Sequence, residues 1–503
     1  MAISSAGVGS GLDVKSIVSQ LVAIEKQPLT QLQTKATSFQ TQLSLYGKIK
    51  SQAAALGDAA ALLAGTSGWN TQKASSSNAA VVGVTAGAGA ATANLTVEVT
   101  ELARAQSAAS AKVAVGTRVN QAAYDAAIDA GTPLVSAGKL SIQLGAWTGP
   151  TSPPATNPVS AIEVDVAVGD TMANIASKIN AAKAGVTATV LRDGAGERLV
   201  IRSDTSGLAG GFSITSKTSA SDPTRVPELA QFEVMTGIGA TDPVSGMFMS
   251  QSAKDAEVIL NGVTVKSASN TMKDVIPGVT LQLTQKTAVG APVDITIEND
   301  LDATQKNIQS FVDAYNTLNQ TLADATKYTA ATKTGGPLQG DATTVGLQNA
   351  LRAMMGSSST GASFPGSPSG TARLSDVGIE RQTDGSLKIN QTKLTSAKQN
   401  LDNLKNLFAA NNNDKATNGF GLKVRDFARG LVAFDGLVSN KSTAIQGSIS
   451  RNAKDQDRVT DRAARVEAQL FRQYSALDAQ MAQLNGLNSY VTAQLAQWNK
   501  STG

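Results

Sequence analysis

The chain of 503 residues contains no cysteine and no histidine. No Ser-His-Asp or Cys-His nucleophile system can be assembled from it. The usual zinc sites, which rest on Cys and His ligands, are excluded too. The commonest general base near neutral pH is missing, leaving carboxylates, Lys and Tyr for acid–base work. Without cysteine there is no disulfide framework, which suits a chain that travels unfolded and must not cross-link. Aromatics are only 4% of residues, so cores must be built from Ala, Val, Ile and Leu. The net charge of +4 comes without long runs of one sign, and implies no nucleic-acid partner.

Long apolar runs are also missing. None approaches the ~18 residues that span a bilayer, and the nearest, 53–64, is interrupted by Gly57 and Asp58. No membrane insertion is expected. The opening MAISSAGVGSGLDVKS lacks a basic leader, an apolar core and an Ala-x-Ala site. The expectation is a protein that is cytoplasmic, or exported by a route that cleaves no leader.

What is present begins with helix over 13–64. Ile17, Leu21 and Ile24 recur at helical spacing, followed by Leu32, Ala36, Phe39, Leu43 and Tyr46. Asp13 is placed to cap the start, Pro28 to break the run, and Gly65–Gly68 to end it. From about Thr71 to Asn299 short alternating runs predict strands: Asn94–Thr100, Lys139–Leu144, Glu257–Val265, Val279–Leu283 and Val293–Glu298. Asn261-Gly262 and Pro277-Gly278 mark turns. Thr171–Ala182 predicts an amphipathic helix, followed by strands at Val186–Leu191 and Arg198–Arg202. Helical rhythm returns with Ile308, Phe311, Val312, Tyr315 and Leu318. Gly356–Gly370 predicts a loop, with helices at Leu401–Phe408 and Val424–Val438.

The clearest pattern lies at the C-terminus. Leu470, Tyr474, Leu477, Met481, Leu484, Asn488, Val491, Leu495 and Trp498 follow at steps of four and three, a heptad seam. Val459, Ala463, Val466 and Leu470 keep the rhythm upstream, with one four-residue insertion before Tyr474. In contacts with other chains, Leu477, Met481, Leu484, Val491 and Leu495 are expected to carry most of the apolar burial, and Asn488 to fix register. The fold class that follows is α+β and multidomain. N- and C-terminal helices pair into a coiled-coil stalk and a helical leg, with β-rich head domains inserted between them. The expected division is 1–40 with 455–503 (stalk), 41–75 with 300–454 (leg), 76–107 with 251–299 (inner head) and 108–250 (outer head).

Candidate chemistry is sparse. Glu163 and Asp165 share a face of an alternating strand, which an acid–base pair would need, but a solvated strand face needs it equally. Gly87 and Gly89 lack the third glycine and the strand-to-helix setting of a dinucleotide loop. Asp193, Asp204 and Asp255 do not match calcium-loop spacing. Lys48, Lys50 and Arg104 make no aromatic–basic platform. No cofactor and no enzymatic activity are expected.

Four segments stand out: GVGSGLDVKSIVSQLVAIEKQPL (Gly7–Leu29), NLTVEVTELARAQS (Asn94–Ser107), AEVILNGVTVKSASNTMKDVIPGVTLQL (Ala256–Leu283) and the coil from Ala444 onward. Together they resemble the family of flagellar filament cap proteins, also called hook-associated protein 2. INAAKAGVTATV (Ile179–Val190) resembles a module shared among flagellar axial proteins. The resemblance implies export through the flagellar type III apparatus with an export chaperone. It implies a homo-oligomeric ring, usually a pentamer, at the extracellular flagellum tip, retaining flagellin and helping it polymerise. It allows contact of residues 108–250 with host surface glycans. The terminal seam residues would then serve leg and ring contacts. Rival expectations are a hook–filament junction protein, flagellin, a secreted adhesin, and a carboxylate-only glycosidase using Glu163 and Asp165.

Overall fold

A computed structural model of the chain describes residues 13–130, 136–146, 160–218, 226–234 and 246–501. Its two compact units are 1–69 with 301–503, and 70–300. Ten α-helices occur among the described residues: α1 Val14–Glu25, α2 Gln27–Ala64, α3 Gln121–Ala130, α4 Met172–Ala182, α5 Leu301–Thr326, α6 Ala342–Met355, α7 Gln391–Lys398, α8 Leu401–Ala409, α9 Phe420–Val432 and α10 Leu437–Ser501.

The first unit is helical. Asp13 Oδ1 accepts from the Ser16 N–H at 3.0 Å and caps α1. The chain breaks at Lys26, and Pro28 sits in the first turn of α2, where its missing N–H costs nothing. The core lies where α2, α5, α9 and the start of α10 meet. The α5 residues Ile308, Phe311, Val312, Tyr315 and Leu318 are all buried there, as the spacing predicts. Trp69 stacks at a tilt on Phe408, 5.8 Å between centroids, and its Nε1 donates to the Leu63 carbonyl at 2.9 Å. These few aromatics anchor a core otherwise made of aliphatics. Tyr315 is buried among them, which pushes its phenol up to about 12.

One expected helix divides. The periodicity of Val424–Val438 predicts one run, but α9 ends at Val432 and α10 starts at Leu437. The corner requires Gly436, because a Cβ there would collide with the carbonyls of Gly430 and Leu431. Beyond the corner, α10 runs 65 residues, about 100 Å at 1.5 Å per residue.

The second unit is β-rich and holds two cores. One lies between a five-stranded antiparallel sheet and a three-stranded one. The first sheet, in spatial order, is Gln72–Ser76, Val293–Asn299, Ala93–Glu101, Ala256–Leu260 and Val263–Ser267; the second is Thr271–Ile276, Val279–Leu283 and Val82–Ala86. Inward residues alternate, so Val97, Val99, Val258, Leu281, Ile295 and Ile297 are buried. Asn261 and Gly262 both take positive φ (47° and 84°), the pairing that closes a two-residue hairpin.

The other core joins the antiparallel sheet Phe248–Gln251, Ser107–Ala109, Gly196–Ser203, Val186–Asp193 to the sheet Ile162–Ala167, Ser136–Leu144, Phe212–Lys217 and to α4. Thr171 caps α4 through its hydroxyl. Ile179 is fully buried at its end, and Asn180 reaches the neighbouring strand. Asn180 Nδ2 donates to the Ala188 carbonyl at 2.9 Å, and Asn180 Oδ1 accepts the Ala188 N–H at 2.7 Å. One side chain thus stands in for a further strand at an edge of this sheet.

Candidate assembly surface

The terminal helices meet over a short stretch. Val14, Val18 and Val22 of α1 are buried around Ala463 of α10, with Leu470, Phe471 and Tyr474 packed alongside. Each buried valine contributes about 1.5–3 kcal/mol. An ion pair closes the end of the contact, Arg462 Nε to Glu25 Oε2 at 3.0 Å.

This corrects the expected face of α1. Leu21 and Ile24 are exposed and Ile17 is half-buried, while the stripe one residue over makes the contact. Both stripes have helical spacing, and the valines are the ones clustered with the small Ala463. Further along, Leu32, Phe39 and Leu43 of α2 are half-buried, with Phe39 and Leu43 against the helical core.

The distal half of α10 behaves differently. Leu470 and Tyr474 are half-buried, but Leu477, Met481, Leu484, Asn488, Val491, Leu495 and Trp498 are exposed. Leu484 keeps 58% of its accessible surface and Trp498 72%. Leu477, Met481, Leu484, Val491 and Leu495, expected to supply burial in leg and ring contacts, are left uncovered by the single chain. No second helix among the described residues covers them. Leu487 and Tyr490, outside the seam, are equally exposed and widen the apolar face. A monomer rarely shows so long an uncovered apolar strip without a partner for it.

Polar bonds tie the helical unit across the sequence. Tyr46 Oη donates to Asp341 Oδ1 at 2.6 Å, and Lys441 Nζ lies 2.5 Å from Asp341 Oδ2. Asp341 also caps α6, accepting from the Thr344 N–H at 2.9 Å. Burial alone would push this carboxyl up. The hydrogen bonds from Lys441, Tyr46 and Thr344 outweigh it and hold the carboxyl at about 2. Burial and the adjoining carboxylate push the Tyr46 phenol up, so it stays a donor.

The carboxylates singled out as candidate chemistry form ion pairs instead. Asp165 Oδ1 lies 2.6 Å from Lys139 Nζ, and Glu163 lies 3.9 Å from Lys139 and 3.6 Å from Lys217. The hydrogen bond to Asp165 raises the Lys139 ammonium's affinity for its proton. Among the described residues no cluster of three or more acidic side chains is placed to hold a metal, and no helix is long and apolar enough to cross a membrane.

Two family models cover both arms of this architecture. Residues 10–106 match the flagellar hook-associated protein 2 N-terminus, and residues 253–486 match the flagellar hook-associated protein 2 C-terminus. The chain belongs to the flagellar hook-associated protein 2 family. A third model, the flagellin hook IN motif, matches residues 151–205, a span that contains Ile179 and the Asn180 bridge. Flagellar hook-associated protein 2 of Escherichia coli K12 is 29% identical over 98% of both chains. The protein of the same name from Aeromonas caviae is 28% identical over the whole of both, and the B-type protein of Pseudomonas aeruginosa PAO1 is 26% identical over 100% of this chain and 99% of its own. A crystal structure of the Escherichia coli flagellar cap protein FliD, domains D1-D2-D3, shares the fold: its TM-score is 0.58 at 24% identity, over 80% of this chain and 99% of that one. The C-terminal model stops at residue 486, so the last part of the exposed strip lies beyond it.

Proposed function

We propose that this chain caps the distal tip of the bacterial flagellar filament, retaining flagellin and promoting its polymerisation. Membership of the hook-associated protein 2 family over both arms supports the reading. The observation that carries the mechanism is the distal half of α10, a long helix whose apolar strip the chain leaves uncovered.

The chain divides into a stalk (1–40 with 455–503), a leg (41–75 with 300–454), an inner head (76–107 with 251–299) and an outer head (108–250). Copies close into a homo-oligomeric ring, with five as the expected number. Leu477, Met481, Leu484, Val491, Leu495 and Trp498 are buried on assembly, against neighbouring copies or flagellin. Ile17, Leu21 and Ile24 add the outer face of α1, and Asn488 fixes register within the seam. The chain reaches the tip by flagellar type III export, attended by a chaperone and without a cleaved leader. Its work is binding and release, with no cofactor.

Deleting the gene in its own bacterium tests the reading by electron microscopy and an assay of flagellin in the medium. Capping predicts lost filaments and flagellin shed as monomer. The intact chain restores growth, and a chain ending at Thr460, which lacks Ala463 and everything beyond, does not. Normal filaments with lost attachment would instead make the protein an adhesin, with the outer head binding surface glycans.

A further inference from the structure

Two features of the helical unit have no role in the reading above. The first is an open cavity of about 490 Å³ between the end of α6 and the start of α9. Its walls are mostly apolar, with Ala353, Met354, Ala416 and Phe427 among them. Lys423 also lines it and is 9% exposed. Its Nζ donates to Ser357 Oγ at 3.1 Å and to the Ser358 carbonyl at 2.7 Å. Both acceptors are neutral, the Phe420 ring centroid lies 5.1 Å from Nζ, and an ammonium has three donors. No carboxylate lies within ion-pair distance among the described residues, and Asp426 on the rim is engaged by Arg425 at 2.7 Å. Burial makes this lysine easier to deprotonate, and the more distant negative charge of Asp414 offsets that only in part. The cavity therefore suits a group that brings a carboxylate together with apolar bulk.

The second feature is the corner between α9 and α10. Phe434 is 99% exposed there, and the Asp435 beside it is exposed, its carboxylate making no hydrogen bond or ion pair among the described residues. The corner is rigid. The Gly436 N–H donates to the Ala433 carbonyl at 2.9 Å, and Asn440 Nδ2 donates to the Asp435 carbonyl at 2.8 Å. Other exposed apolar side chains differ: Val289 has no acid beside it, the Glu25 next to Ile24 is held by Arg462, and Ile128 beside Asp129 is aliphatic and lies within helix α3. An aromatic ring and a free carboxylate on a fixed turn have the chemistry that the cavity lacks. Full exposure of Phe434 shows that the corner does not fill the cavity of its own chain.

We propose that the Phe434–Asp435 corner of one copy docks into the Lys423 cavity of the next, the ring against Met354 and Phe427 and the carboxylate on the ammonium. The contact rests on the self-assembly reading and gives it a specific joint. Knob and socket are different surfaces of one chain, so the joint is head-to-tail and closes into a ring when the rotation between copies permits. A buried aromatic beside a desolvated ion pair is the kind of centre that dominates interface energies.

The chain's lack of cysteine makes the test direct. One batch carries Leu437→Cys beside the knob and another Ala353→Cys at the rim of the socket, so that Phe434 and Met354 both stay in place, and the two full-length proteins are mixed under mild oxidation. A reducible mixed dimer is expected, several-fold more abundant than from Leu437→Cys mixed with Val289→Cys. Adding Lys423→Met to the socket chain, or Asp435→Asn to the fully exposed knob where folding is not at stake, lowers the yield several-fold. A yield no higher than the control pair, or one unmoved by both charge variants, overturns the joint. Light scattering on the unmodified chain separates the two levels. Assembled protein without the cross-link refutes this contact alone, whereas a monomer at every concentration refutes self-assembly as well.

Discussion

The Tyr46 hydroxyl donates to Asp341 Oδ1 across 2.6 Å, although the two residues stand 295 positions apart. Lys441 holds the other oxygen of the same carboxylate, so three distant segments of the helical unit share one buried polar node. Tyr46→Phe removes the donor and leaves a partly buried carboxylate short of one bond. We expect a loss of about 1–3 kcal/mol, read as a lower urea midpoint with unchanged slope. An unchanged midpoint would show that the node is ornamental.

The same node sets an acid limit. The Asp341 carboxyl is held at about 2, below its unfolded value near 3.8. A depressed carboxyl stabilises the fold above the unfolded value, and the stabilisation is lost as pH falls through the folded one. About 2 kcal/mol should therefore disappear between roughly pH 4 and pH 2. Asp341→Asn should flatten that part of the stability–pH curve, and a curve identical to the parent's would refute the assignment.

Asn180→Ala strips both hydrogen bonds from the Ala188 backbone and bares the strand edge. A cost of about 1–3 kcal/mol is expected, with faster amide exchange at Ala188. Asn180→Asp keeps an acceptor for the N–H but loses the donor, and should fall between. The measurement is hydrogen exchange on the full chain; protection at Ala188 equal to the parent's in both variants would sink the account.

The strip on α10 predicts a separation of stability from function. Leu484→Ser and Leu495→Ser change exposed positions and should leave the unfolding free energy of the isolated chain within about 0.5 kcal/mol, while abolishing filament growth. Val18→Asp places a charge against Ala463 instead, and should release α1, measured as faster proteolysis of the first 25 residues. Equal destabilisation by all three would mean that the strip is covered within one chain.

Much of the fold was legible because its signals are local. Asn261-Gly262 marks a hairpin through the positive φ both residues adopt, Asp13 and Thr171 mark helix starts, and Pro28 marks the break between α1 and α2. The α9–α10 corner was missed because apolar periodicity continues through it. Its one signal was Gly436, whose need is steric and arises from carbonyls on the preceding turn. The buried face of α1 was missed for another reason. Val14, Val18 and Val22 and Ile17, Leu21 and Ile24 are both valid stripes, and the spacing alone does not say which one meets Ala463, Leu470, Phe471 and Tyr474. The terminal seam was legible as a pattern, but a heptad does not say whether its partner belongs to the same chain. Helix α3 went unnoticed because none of its side chains is buried.

The first and last strands of the β-rich unit are neighbours. Gln72 pairs with Asn299, and the Asp300 N–H donates to the Thr71 carbonyl at 2.8 Å. Once that unit has formed, the point where the chain enters it and the point where it leaves are tied together. For the helical residues on either side, a connection of more than two hundred residues has become a clasp a few residues long. Closing so long a loop unaided costs about 5 kcal/mol of chain entropy, and once these strands are paired that cost no longer falls on the packing of the helices. Opening the pairing at Gln72–Ser76 should therefore slow the refolding of helices that these strands do not belong to.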